Sequence, residues 1–387
     1  MPIDIVIIGG GVIGSSIAHF LNAADSSPNI VVVEPDPLYE LAATPRASGG
    51  VRQLFSLPEN IMMSRWSLDF YRNFSTHVAA GADSVEIGFK QYGYLFLVPE
   101  SGEPALAQAY DTQLKHGVEV EWLTPDTLGS RYPCLNLDGI AAATFSPQDG
   151  CIDPNAALQG FKRRARTGGV KYLQDRVVGM TRKGDAVTAV ELASGTTLEP
   201  AIVVNAAGTW SSEISAMIGQ ELPVEPMRRF DHYFECATAI EPLPFIKDTA
   251  GLGMHPEGQG YAGSVVNHAE PAGHNFTVDH EYFENVVWPH LAHRIPAFEA
   301  LRLKSSWVGH YDRNRLDGNM VLGNWAPKAS NFYVACGFSG HGLMHAPAVG
   351  RAMAELIMTG GYQTLDLSRM DYQRIARWQP YPEIGIR

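Results

Sequence analysis

The chain reads as an α/β protein in two parts. A parallel-sheet domain is interrupted by segments that build a second, α+β domain. Three observations predict this. A short β-branched run at residues 3–8 passes straight into a glycine turn and a helical stretch, as a buried parallel strand does. Two later apolar runs, at residues 201–205 and 332–336, also end in small residues and open helices. Between them, from about residue 77 and again from about residue 222, the pattern changes to aromatic, strand-like runs.

The glycine turn is Gly9, Gly11 and Gly14 in G-x-G-x-x-G spacing. Gly9 permits a tight turn, Gly11 lets a pyrophosphate approach the backbone, and Gly14 lets helix pack on strand. Val12 and Ile13 open the helix, whose N-terminal N–H groups point at the phosphates. A second apolar strand closes on Glu34, twenty positions after Gly14, with Pro35 behind it. An acidic residue there takes ribose hydroxyls. Strand, glycines, helix, strand and terminal acid together define a Rossmann-like dinucleotide site. The bland alternative is a glycine-rich turn without a ligand.

Length alone, 387 residues, suggests two or three domains. The net charge of −12 argues against nucleic acid and anionic membrane as partners. No apolar run reaches the roughly eighteen residues of a membrane span. The fingerprint strand begins at Ile3, so no signal or transit peptide is expected. Cys134, Cys151, Cys236 and Cys336 are scattered, which reads as buried thiols in a reducing compartment. A cytoplasmic protein follows. His341 and His345 are four apart but lack the H-E-x-x-H pattern and a third ligand, so no metal site is expected.

Arg46, Ala47, Ser48, Gly50, Val51 and Arg52 follow the ribose-binding strand and suit a second phosphate region, with Arg52 deeper, towards the reactive end. Residues 58–74 and 105–117 read as helices, and Asp153 before Pro154 caps another. The stretch ending in Ala207, Gly208 and Trp210 again suits a dinucleotide at the carboxyl end of a parallel strand. Arg228 and Arg229 read as solvated or structural, as do His290 and His293 on a helix capped by Asp279. The turn at Gly340, His341 and Gly342 opens a long helix and forms another anion-binding helix start.

The glycine turn with Glu34, the run Val203 to Trp210, and Gly337-Phe-Ser-Gly-His-Gly342 together resemble the FAD-dependent amine and D-amino-acid oxidoreductases of the glycine oxidase and sarcosine oxidase type. The resemblance spans nearly the whole chain. Residues 52–60, 222–226, and 278–283 with 288–299 narrow it to one branch. It implies FAD as cofactor and a discontinuous FAD domain of residues 1–76, 138–215 and 300–387. Residues 77–137 and 216–299 would then form a substrate domain whose mainly antiparallel sheet covers the flavin. Arg46 and Ser48 match the pyrophosphate loop, and Val178 an adenine-side backbone contact. Gly340, His341, Gly342 and Leu343 match the loop at the flavin pyrimidine edge. There a helix N-terminus stabilises negative charge on reduction.

Three departures sharpen that expectation. Sarcosine oxidases attach FAD through a cysteine where this chain has Gly309, so FAD should be noncovalent. They use a lysine over the flavin to activate oxygen. No lysine lies between Lys247 and Lys304, which favours a dehydrogenase using another, unknown electron acceptor. They clamp the substrate carboxylate with a lysine where this chain has Met344, which fits a bulkier or less charged group. The implied reaction oxidises the C–N bond of a small amine or an N-methyl, secondary or D-amino acid. Hydride passes to flavin N5 and the imine hydrolyses in water. Arg52, Tyr261, His310, Tyr311 and Met344 would line the pocket, Arg52 pairing with a carboxylate. A 2-hydroxy acid fits the same architecture. An FAD-binding assembly or interaction protein with little turnover is the reading from another class. A nicotinamide-only dehydrogenase has no need of the flavin-edge loop.

Overall fold

The computed structural model describes residues 3–79 and 85–385. Its first sheet has six strands, ordered Val321–Trp325, Ala329–Cys336, Pro200–Asn205, Ile3–Ile8, Ile30–Glu34 and Lys171–Gln174. All pair in parallel except Val321–Trp325, which runs antiparallel to its neighbour. Ile3–Ile8 sits inside the sheet because its residues Ile5, Val6, Ile7 and Ile8 are apolar on both faces. Ile5 and Ile7 pack with Ile17 and Leu21 of helix Val12–Ala24. Val6 and Ile8 pack with Val187 and Val190 of a small three-stranded sheet on the other side.

The long helix Gly342–Thr359 lies against helix Val12–Ala24. Ser16 Oγ donates to Ala346 O at 2.8 Å. Gly350 permits this approach, since a Cβ there would stand 2.1 Å from Ser16 Oγ. Pro347 lies inside the long helix and has no N–H to offer Leu343 O. Tyr71 Oη takes that place, donating to Leu343 O at 2.6 Å, so the carbonyl is satisfied.

The second sheet has eight strands, ordered Arg302–Asn314, Val224–Glu235, Gly260–Val265, Leu252–Glu257, Phe245–Asp248, Tyr94–Val98, Ala142–Ser146 and Glu121–Leu123. Only Phe245–Asp248 with Tyr94–Val98 is parallel. One face, with Leu95, Leu97, Phe234, Ile246 and Met254, packs on Phe283, Val287, Leu291 and Phe298. These last residues come from helical segments that start behind Asp279, whose side chain accepts from Tyr282 N at 3.1 Å. The helix Pro154–Thr167 likewise has its expected cap, Asp153 accepting from Ala156 N at 3.0 Å. The fold is thus α/β, a Rossmann-like unit joined to an α+β unit with a mainly antiparallel sheet, as the sequence predicts.

Two strands cross the expected boundaries. Ala142–Ser146 and Arg302–Asn314 fall in ranges the sequence assigns to the first unit, yet both pair into the eight-stranded sheet. The reason is pairing. Arg302–Asn314 runs alongside Val224–Glu235 from one end to the other, from Val224 opposite Asn314 to Glu235 opposite Arg302. Apolar patterning marks a strand but not the sheet it joins. Residues 1–2, 80–84 and 386–387 of the expected ranges lie outside the described residues. No helix among the described residues is long and apolar enough to cross a membrane.

Candidate cofactor and substrate site

A cavity of about 980 Å³ runs from the glycine turn to the uncovered face of the eight-stranded sheet. The turn end is built from backbone. Gly9 has φ +98°, and a Cβ there would lie 2.5 Å from Ala206 O. A Cβ on Gly14 would lie 2.0 Å from Gly9 O, so no larger residue lets helix and strand meet. At Gly11 the position differs. A Cβ there meets nothing closer than Thr44 Oγ1 at 3.7 Å, so it would occupy open cavity, where a pyrophosphate needs room. Val12 N already donates to Thr44 Oγ1 at 3.2 Å, so one donor of the helix start has a protein partner.

Glu34 closes the second strand at the cavity wall. Its carboxylate accepts from Gly10 N at 2.8 Å and Asp36 N at 2.9 Å, which fixes its orientation at the strand end. Burial raises its pKa, and those two hydrogen bonds oppose the rise. Arg46 donates to Glu40 O and Val308 O, each at 2.6 Å, while Trp307 Nε1 donates to Arg46 O at 3.1 Å. The loop after the ribose strand is therefore stapled to the second sheet. Gly309 faces that loop, a Cβ there meeting Arg46 Cβ at 3.4 Å.

The turn before the long helix is held from below. Asp312 accepts from Gly337 N at 2.7 Å, and burial pushes its carboxyl up to about 6. Asn314 N donates to Ser339 Oγ at 3.0 Å. Gly340, with φ +98°, lies against the Tyr311 ring, where a Cβ would come within 2.5 Å. Leu343 and Met344 of the helix start then face the cavity.

Of the expected cofactor residues, Gly9, Gly11, Val12, Ile13, Glu34, Pro35, Arg46, Ala47, Ser48 and Gly50 lie in the cavity wall. So do Arg52, Ala207, Gly208, Trp210, Gly309, Gly340, His341, Gly342, Leu343 and Met344. Gly14 stands behind the wall, in the helix–strand contact. Val51 points into the core instead and pairs with Gly150. Val178 is 53% exposed and off the wall, while its neighbour Val177 lines it. Strand alternation explains this, since adjacent side chains face opposite ways.

The same rule corrects the pocket. Tyr261 is not in the wall. It lies on the helix-covered face, its ring 4.9 Å from that of Phe298 and 6.0 Å from that of Phe234. His310 and Tyr311 are adjacent on one strand, and both lie in the cavity wall, as expected. Tyr311 carries the Arg229 guanidinium over its ring at 4.8 Å. His310 packs against Phe276 and accepts from Asn275 N at 3.1 Å. Burial first, then His274, Arg228 and Arg46, hold its pKa down to about 4, so it is a neutral packing group. Arg52 is buried, donates to Leu54 O, contacts His341 Nε2 at 3.2 Å and lies over Phe55 at 4.0 Å. Its guanidinium already has partners, which makes it a fixed charge in the wall.

Sequence reasoning missed Arg229, Asp231, Lys247 and His255, all in the wall. Burial pushes Asp231 up to about 7. Lys247 is held down to about 7 by burial first, then by Arg52 and Arg229. The adjacent Arg228 and Arg229 were the available signal: both line the cavity, Arg228 paired with Glu270 and Arg229 lying over the Tyr311 ring. Lys247 also weakens the argument against oxygen chemistry, because a lysine does stand in this cavity.

Fold and site define a flavoprotein of the Rossmann-like class, in which the glycine-turn cradle opens onto a chamber under a mainly antiparallel sheet. The chain belongs to the FAD dependent oxidoreductase family, whose model matches residues 4–356. It is 39% identical to FAD-dependent oxidoreductase domain-containing protein 1 of Xenopus laevis, over 99% of this chain and 84% of that protein. It is 27% identical to mitochondrial dimethylglycine dehydrogenase of Rattus norvegicus, over 97% of this chain and 45% of that protein. Among solved structures it resembles L-proline dehydrogenase from P. horikoshii, with a TM-score of 0.86 and 28% identity, covering 98% of this chain and 99% of that one. The cofactor of this family is FAD, and the cradle at Gly11 and Glu34 fits its dinucleotide part.

Proposed function

We propose that this FAD-dependent oxidoreductase oxidises the C–N bond of a small amine or amino acid, as a dehydrogenase with noncovalent FAD. One observation carries the reading. The dinucleotide cradle and a chamber of apolar, aromatic and cationic side chains are one continuous cavity. FAD, when bound, supplies the hydride acceptor. The chain supplies orientation and electrostatics. Tyr94, Met227, Phe245, Tyr311 and Met344 give the chamber apolar surface. The N-terminus of helix Gly342–Thr359 provides positive potential beside Leu343 and Met344. A neutral amine needs no protein base, so none is assigned. The similarity to an L-proline dehydrogenase and a dimethylglycine dehydrogenase supports amine chemistry. No cysteine among the described residues lines the cavity, which supports noncovalent binding.

We assign the substrate unit residues 77–79, 85–146 and 216–314, moving both boundaries to follow strand pairing, and the FAD unit the remaining described residues. Four free thiols support a reducing compartment, and we place the protein in the cytoplasm.

The test is the visible spectrum of the purified protein under anaerobic conditions. N-methyl amino acids, D-amino acids, cyclic imino acids and 2-hydroxy acids are added in turn. Bleaching by an amine, with slow recovery in air, is the expected result. Bleaching only by 2-hydroxy acids would overturn the C–N assignment. Fast recovery in air would make it an oxidase.

A further inference from the structure

The chamber floor is the middle of the eight-stranded sheet, and it is low. Lys247 pairs with Gly253, and Gly253 with Ser264. Gly251, Gly253, Gly263 and Ser264 all line the cavity. A Cβ on Gly253 would meet only the Phe245 ring, at 3.8 Å, so the space above it is open. Two long cationic side chains flank this trough, Arg229 from one strand and Lys247 from another.

Arg229 is held but not neutralised. Its guanidinium lies 4.8 Å over the Tyr311 ring, and it donates to Arg228 O at 3.2 Å. Its Nε is buried without a hydrogen-bond partner. The acid within reach, Glu270, is taken by Arg228 at 2.5 Å. Among the described residues Arg229 therefore has no ion pair. A half-buried guanidinium whose buried Nε is an unused donor matches a carboxylate. Across the chamber the helix start offers Met344, which cannot bind one.

We propose that Arg229 and Lys247 form a carboxylate seat, in which the substrate's carboxylate lies over Gly253 between the two cations. This rests on the amine-oxidation reading and narrows it. The substrate is an amino acid, not an uncharged amine, and its acid group docks on the sheet instead of the helix start. The charges support it. Burial first, then Arg52 and Arg229, depress Lys247, and an anion between the cations relieves the repulsion.

The test uses the FAD-loaded protein and two probes of nearly equal shape, propionate and propionamide. Calorimetric and flavin-absorbance titrations should show propionate binding at least tenfold tighter. Arg229→Gln and Lys247→Met should each weaken propionate at least tenfold and leave propionamide unchanged, while Arg229→Lys recovers part of the loss. Flavin content and melting temperature identify a variant that has not folded, and the acid–amide comparison on the unmodified protein needs no variant. Equal binding of the two probes overturns the seat, as does unchanged propionate binding in a flavin-loaded variant. If amino acids and their amides bleach the flavin equally, the seat falls and the redox reading stands. If no amine bleaches it but propionate still binds through Arg229, the redox reading falls and the seat stands.

Discussion

The two ends of the cavity are made of different material. At the dinucleotide end, the working parts are backbone: Gly9, Gly11 and Gly14 act by what they lack, with one carboxylate at Glu34. At the substrate end, side chains from strands far apart in sequence meet over a glycine floor: Arg229, Lys247 and Tyr311, with Arg52 behind. The first end is local, and one substitution breaks it for steric reasons. The second is assembled by sheet register, and one substitution changes a charge without disturbing the fold.

The largest effect is expected at Gly14. In Gly14→Val, the added carbons meet Gly9 O, and flavin content of the purified protein should fall below a tenth of the normal level. Normal flavin content would break the contrast between the two ends. Next comes Arg229→Gln, whose effect should appear as a tenfold or greater rise in KM for an amino-acid substrate, with full flavin content. Glu34→Gln keeps the shape and removes the charge. FAD release, followed by fluorescence, should show about tenfold weaker binding, or ~1.4 kcal/mol.

A pH experiment sharpens the comparison. Lys247 binds its proton at about 7 in the folded chain and at 10.5 when unfolded. Arg52 and Arg229 face it, and Tyr94, Asp231, His255 and Tyr311 share the wall. Carboxylate affinity should be full below about 7 and fall as pH rises through that value. Stability carries the opposite sign. Between about 7 and 10.5 the unfolded chain holds more protons, so this group's contribution rises with pH. Denaturant titrations of Lys247→Met should lose that slope. The smallest effect belongs to Tyr261→Phe. On the helix-covered face, it should change turnover less than about twofold. A larger loss would place Tyr261 back in the chamber.

What was legible follows the same division. A glycine turn, a strand ending in Glu34 and caps at Asp153 and Asp279 are local patterns, so residue spacing sufficed to find them. The chamber was legible only where a motif happened to include it, at Arg52, His310, Tyr311 and Met344. Tyr261 was misjudged because it needs the face of its strand, and Arg229 and Lys247 because each needs the partner strand's register. Arg302–Asn314 pairs into the eight-stranded sheet, which its pattern did not show for the same reason: the pattern names a strand, and only its partner names the sheet.

The position of Ile3–Ile8 has a consequence during synthesis. It pairs on one side with Ile30–Glu34, made almost at once, and on the other with Pro200–Asn205. At ribosomal rates of about 5–20 residues per second, that second partner emerges on the order of ten seconds or more later. Until then a nascent chain carries an apolar strand edge open to other chains. Chaperone capacity and translation speed should therefore govern the yield of this protein more than its final stability does.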